Sequence, residues 1–424
     1  MNDGRTRDVI LEFTSSAASG EDALAVRAWR DEQQYYRSPL AAKHWDVRLP
    51  KLFSETLGAG TDWRREISSA ESAKQRGHQL WSGLPDPVRQ MILHPGSPDL
   101  TKIALVRTGS GVDDLPWEWL NDNENPLAVQ GSIRLVRLVP SSYPAPPLTI
   151  PLPIRVLLVL ASPDASRVVD GRREIDVVEG ALRNSALYEC KAIKGWEHGE
   201  IEKALAWAPH IFHYLGYAGI SGTRGSLLLH DMDRGTRWMP ATELAAILPP
   251  SVRLVCLSTY VGVDNYELGG FMKFAQSPAE IPLPTTIVNQ HSLDRGTATE
   301  FWKEFYPQLT ARNGNVTDAF HFARVAAWRA SGETCSWASF SLVIRDGSGH
   351  PFRLSEGGDQ EENRFAAEVQ AQWAARMANT LAVRMRPLQG AVQEQWQNVL
   401  QTEIDHIKAL ERKISGVASS REIR

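Results

Sequence analysis

Two short apolar runs, Ile211–Leu215 and Leu254–Ser258, constrain this chain more than any other feature of its sequence. Each ends in a turn of small residues, and a helix-like stretch, MPATELAAILP, lies between them. Strands alternating with helices predict a parallel sheet covered by helices. In such a sheet the carboxyl ends of adjacent strands open on one crevice, where ligands and catalytic groups gather. The residues just past those ends are therefore the first candidates for function.

The same alternation runs through the second half of the chain. Strands are predicted at Ile154–Leu160, Leu187–Ala192, Ile211–Leu215, Leu254–Ser258, Thr285–Val288 and Phe340–Ile344. Helices are predicted at Glu174–Asn184, Ile201–Ala206, Pro240–Ile247, Thr297–Arg312 and Val316–Ser331. Phe301, Phe305, Phe320 and Phe322 are expected to pack beneath the last two.

Upstream, DVILEF at residues 8–13 predicts a first strand, and the span from Ala23 to about Leu93 reads as several helices. Strand patterns return at Lys102–Val106 and Ser132–Val139. Residues 140–153, PSSYPAPPLTIPLP, are dense in proline, which removes ladder donors and favours extended backbone, so a linker or surface crossing is expected. The resulting division is an α/β lead-in region at 1–140, a linker at 141–153 and a main α/β domain at 154–350.

A polar hinge, SEGGDQEEN, introduces a C-terminal helical hairpin over residues 357–424. Its first helix carries Phe365, Val369, Trp373, Met377 and Leu381 at four-residue spacing, and a break falls at Arg386-Pro387. The second carries Val392, Trp396, Leu400, Ile404, Ile407, Leu410 and Ile414, close to a heptad seam. So narrow a seam buries too little surface to stand alone, and must pack on the body, on itself or on another chain. Trp373, Trp396, Leu400, Ile404, Ile407 and Ile414 are the expected seam residues.

Composition excludes several classes. Among 424 residues a net charge of -4 carries no nucleic-acid or membrane footprint. No apolar run long enough to cross a membrane appears, and the opening MNDGRTRD lacks the apolar core of a signal peptide, so a cytoplasmic location is expected. Three cysteines, Cys190, Cys256 and Cys335, are too scattered for a disulfide framework or a metal cluster, and no cofactor or metal is expected. Fourteen tryptophans point first to core packing.

At the two strand ends the chain resembles the CHAT family, caspase-like cysteine peptidase domains common in bacterial signalling and defence proteins. In that family the first strand ends in His-Phe-x-Gly-His-Gly and the second in Leu-Ser-Ala-Cys. Here the corresponding stretches are HYLGYAG, His213–Gly219, and LSTY, Leu257–Tyr260. LPWEWL at Leu115–Leu120, the lead-in QLWSGLPDPVRQMI at Gln79–Ile92 and the TCSWASFSLVIRDG strand are also similar, so the likeness spans roughly residues 75–347. The resemblance implies a caspase-like, parallel-rich sheet flanked by helices. It also places Tyr217 where the general base belongs and Tyr260 where the nucleophilic cysteine belongs. Trp117 and Glu118 are read as structural, a packed ring and a carboxylate satisfying nearby backbone.

A cysteine peptidase needs a thiolate and a base that deprotonates it. A tyrosine, with an ordinary pKa of about 10, is a poor base at neutral pH, and its phenol is a weak, bulky nucleophile. The expected activity is therefore none. Rearranged nucleophiles remain open: Cys256, about 13 Å deeper along the strand; Ser258 paired with His213; or Thr259 in a shifted register. The glycine-rich Gly216–Gly225 lacks a phosphate-loop pattern. The leading expectation is a scaffold, adaptor or regulator whose crevice holds a peptide through Tyr217, Tyr260, Tyr214 and Asp264. Its partner is another protein, such as an active protease, effector or sensor, or a second copy through the C-terminal helices. An active hydrolase and a ligand sensor are the alternatives.

Overall fold

The computed structural model describes residues 6–15, 24–29, 43–47, 70–93, 100–106, 111–122, 125–139, 147–161, 168–183, 185–193, 198–221, 224–231, 235–259, 269–277, 283–291, 293–332, 334–345 and 349–355. The C-terminal hairpin expected at 357–424, with all six seam residues, lies outside the described residues.

In chain order the first strands are β1 Thr6–Ser15, β2 Leu24–Trp29, β3 Lys43–Val47, β4 Leu100–Val106, β5 Ile133–Leu138, β6 Leu148–Pro151, β7 Ile154–Leu160 and β8 Tyr188–Ile193. The remainder are β9 Ile211–Gly216, β10 Ala218–Ser221, β11 Arg224–Asp231, β12 Gly235–Pro240, β13 Leu254–Thr259, β14 Thr285–Asn289, β15 Phe340–Ile344 and β16 Phe352–Ser355. Eleven of these form one sheet in the order β3-β2-β1-β4-β5-β15-β14-β13-β9-β7-β8. Strands β14, β13, β9, β7 and β8 run parallel, as do β1, β4, β5 and β15 among themselves. The two sets meet antiparallel at β14 and β15. Strands from both sides of the proline-dense stretch thus share a single sheet.

Burial on both faces explains why the central strands read as unbroken apolar runs: every residue of β9, β14 and β15 is buried. The lead-in helices α1 Ala70–Gly83 and α2 Asp86–Leu93 pack into one continuous core with α3 Val168–Arg183, α7 Arg295–Ala311 and α8 Val316–Ala330, the last three covering one face of the sheet. The other is covered by α4 His198–Leu205, α5 Ala241–Ile247 and α6 Gly270–Ala275. Side-chain caps set where α7 and α8 begin. Asp294 accepts from the Thr297 N–H at 2.9 Å ahead of α7, and Asn315 accepts from the Asp318 N–H at 3.0 Å ahead of α8. Phe301, Trp302, Phe305 and Tyr306 turn one side of α7 into an aromatic row, with Phe301 stacked on Phe340 at 3.7 Å.

Two segments depart from expectation. Helices were expected from Ala23 onward, but Leu24–Trp29 and Lys43–Val47 are strands paired antiparallel to β1 and to each other. Val26 and Ala28 point into the core at period two, and the edge of β1 supplies the ladder that local propensity does not. A three-stranded antiparallel side sheet, β10-β11-β12, follows β9 where no strands were expected. Within the proline-dense stretch, Leu148 and Ile150 are buried on β6, which pairs parallel with β16.

Candidate functional site

The crevice-forming ends of β9 and β13 lie side by side. Their parallel register sets Cys256 opposite His213, Ser258 opposite Leu215 and Thr259 opposite Gly216. Tyr217 is the next residue on the β9 side. Tyr260, next after β13, and Asp264 lie outside the described residues.

Tyr217 and Tyr214, expected together in the crevice, belong to two different buried cores. Tyr217 joins the larger core, and Tyr214 the core beneath α6, where its ring meets Phe271 edge-on at 6.3 Å. Both are buried, Tyr217 at 1% exposure and Tyr214 at 0%. The Tyr214 phenol staples the turn after β9: it accepts from the Tyr217 N–H at 3.2 Å and donates to the Leu228 carbonyl at 2.7 Å. Gly216 belongs to the same device, since a Cβ there would fall inside the Tyr214 phenol. The glycine that matches the family's strand-end pattern therefore has a purely steric reason to be present.

The rearranged nucleophiles fare differently from one another. Cys256 is fully buried, and burial holds its thiol well above the ordinary range, so it is a core thiol far from the reactive thiolate state. Ser258 is 1% exposed, and neither its Oγ nor His213 Nε2 has a hydrogen-bond partner, so the two do not bond each other. His213 instead meets the Tyr306 hydroxyl through Nδ1 at 2.7 Å and packs on Trp302 at 4.4 Å. Burial pushes its pKa down to about 3, which keeps the ring neutral. Among the described residues, no group of three or more His, Cys, Asp or Glu side chains is placed to hold a metal ion.

Behind the crevice, Trp117 and Glu118 are buried as expected, but Glu118 satisfies a guanidinium rather than the backbone. Its carboxylate takes Arg137 Nε at 2.9 Å and Nη2 at 2.6 Å, Gln290 Nε2 at 2.7 Å and Ser341 Oγ at 2.6 Å. Burial alone would raise its pKa; the Arg137 charge and hydrogen bonds, with Arg324, outweigh that and hold it at about 2. Trp117 stacks on Phe13 at 4.7 Å and donates to the Val112 carbonyl at 2.9 Å. Gln290 directly follows β14, so this network ties the lead-in region to the sheet end that flanks β13. Sequence spacing gave no sign of it, because the partners stand 19, 172 and 223 residues from Glu118.

Next to this end, Trp238 is 43% exposed and lies across Gly219, whose Cβ would meet the indole. A cavity of about 200 Å³ opens between α1, Asn121, Pro126 and the end of α8, walled by Trp119, Trp328 and Trp337. Among the described residues, no helix is long and apolar enough to cross a membrane.

The CHAT domain family model matches residues 74–346. No curated protein matches the chain. Two solved structures of the Saccharomyces cerevisiae separase-securin complex are similar to it, at 10% identity with a TM-score of 0.42 and at 9% identity with a TM-score of 0.45. Each match covers 82% of this chain and only 30% of the matched chain.

Proposed function

The chain belongs to the CHAT domain family, and we propose that it is a member without peptidase activity, acting through protein–protein contacts. One observation carries this reading. The position matching the family's base is Tyr217, 1% exposed and packed in the core, with no imidazole in its place. Tyr260 at the position matching the nucleophile supports it from the sequence. His213, four residues before Tyr217, is neutral and bonded to Tyr306, and Cys256, opposite His213 in the ladder, is sealed in the core.

In this role the chain is a scaffold, adaptor or regulator. The family resemblance suggests a bacterial defence or signalling setting, with residues 357–424 as the partner-binding element. The test pairs two measurements on the purified full-length chain. Peptide substrates remain uncut, and a defined complex purified from the native host is lost on deletion of residues 357–424. Peptide cleavage abolished by a substitution in the crevice contradicts the reading. Unchanged complex formation after the deletion removes the tail from it.

A further inference from the structure

Strand β8 forms one end of the eleven-stranded sheet: β7 pairs with one of its edges, and no described strand pairs with the other. We propose that this edge joins a second copy of the chain, β8 against β8 and antiparallel, about a two-fold axis at Cys190. The proposal goes beyond the reading above, and holds whether or not the chain cuts peptides.

Backbone direction limits the possible registers. Ile154 donates its N–H to the Leu187 carbonyl at 2.8 Å, so Leu187 turns its backbone toward β7. Backbone groups alternate in direction along a strand, so Glu189 and Lys191 also turn inward, and Tyr188, Cys190 and Ala192 present theirs outward. An antiparallel neighbour must set its own outward residues against these three.

Side-chain chemistry then selects one register among those allowed. With the axis at Cys190, Glu189 lies opposite the second copy's Lys191, and Leu187 lies opposite the second copy's Ile193. Symmetry makes each pairing occur twice. Moving the axis by one residue in either direction keeps the outward groups facing each other. It also sets Glu189 against Glu189 or Lys191 against Lys191, which cross-strand pairing disfavours. Glu189 and Lys191 are both exposed. Leu187, at 39%, is one of three large apolar side chains exposed among the described residues. A lysine on a sheet edge repels most strands that approach it. A second copy in this register brings the matching carboxylate.

The test is sedimentation of the full-length chain by analytical ultracentrifugation, with far-UV circular dichroism as the folding control. The wild-type chain forms a reversible dimer. Glu189→Lys and Lys191→Glu each weaken it by about tenfold or more, since two like-charge pairs replace two opposite ones. The double variant E189K/K191E restores affinity to within a few-fold. Cys190→Pro removes an outward N–H while sparing the ladder to β7, so the dimer is lost and the fold kept. A wild-type chain that stays monomeric at about 100 μM overturns the proposal. So does a dimer indifferent to the single reversals, which must then use another surface such as residues 357–424.

Discussion

Arg137 grips Glu118 with two parallel hydrogen bonds, Nε to Oε1 at 2.9 Å and Nη2 to Oε2 at 2.6 Å, with both side chains almost wholly removed from water. Paired geometry of this kind offsets the cost of burying both charges, and the remaining acceptor sites are filled by Gln290 and Ser341. Arg324 adds a second guanidinium to the same region, capping the Phe340 carbonyl at 2.9 Å.

This arrangement is asymmetric, and mutations should show it. Removing the acid as Glu118→Gln leaves two buried guanidiniums without their shared anion, at an expected cost of about 3–5 kcal/mol. Arg137→Met costs less, because Arg324, Gln290 and Ser341 still face the carboxylate. Urea denaturation of both variants checks the order; equal or inverted costs contradict this account of the network.

Acid should destabilise the chain in two stages. His210, His213 and His321 are each held down to about 3, chiefly by burial, so the unfolded chain binds protons that the folded chain does not. Their contribution is complete above an ordinary histidine pKa of about 6.5 and is lost as pH falls toward about 3. Glu118, held at about 2, adds a second loss as pH falls through the ordinary carboxylate range toward that value. Urea midpoints measured against pH should begin to fall below about pH 6.5, and His213→Gln should flatten the first stage by about one third.

Gly216 and Tyr214 form a steric pair. Gly216→Ala should destabilise by about 1–3 kcal/mol because the new methyl invades the Tyr214 phenol. In a Tyr214→Ala background the same substitution should cost much less, a non-additivity that a double-mutant cycle reads directly. Additive costs would mean that some other contact requires the glycine.

The three cysteines should separate by reactivity. Cys190 and Cys335 are half-buried and Cys256 is fully buried. In the native chain a thiol reagent followed by peptide mass mapping should leave Cys256 unmodified until denaturant is added. Fast native labelling of Cys256 would reopen it as a nucleophile.

Much of the fold was legible because its strands are buried on both faces. Runs such as IRVLLVL and IFHYLG have no polar face to confuse the reading, and α7 and α8 carry their own caps at Asp294 and Asn315. The N-terminal strands were not legible, since LAVRAW becomes a strand only in pairing with β1, and KHWDV only in pairing with LAVRAW. Around the site, the positions of Tyr217 and Gly216 followed from their neighbours in the chain. Their surroundings did not: the Tyr214 staple depends on Leu228, and the Glu118 network on residues from three distant segments. The side sheet was not legible because the glycine-rich Gly216–Gly225 carries no strand pattern. Two of its glycines are points of close approach, Gly219 to Trp238 and Gly225 to α6.

The most direct measurement is peptide hydrolysis by the purified full-length chain, with intact-mass detection of any adduct formed with thiol- and serine-directed probes. The account predicts no turnover and no adduct on Cys256 or Ser258. Turnover that disappears on changing Tyr217, Cys256, Ser258 or Tyr260 would contradict it.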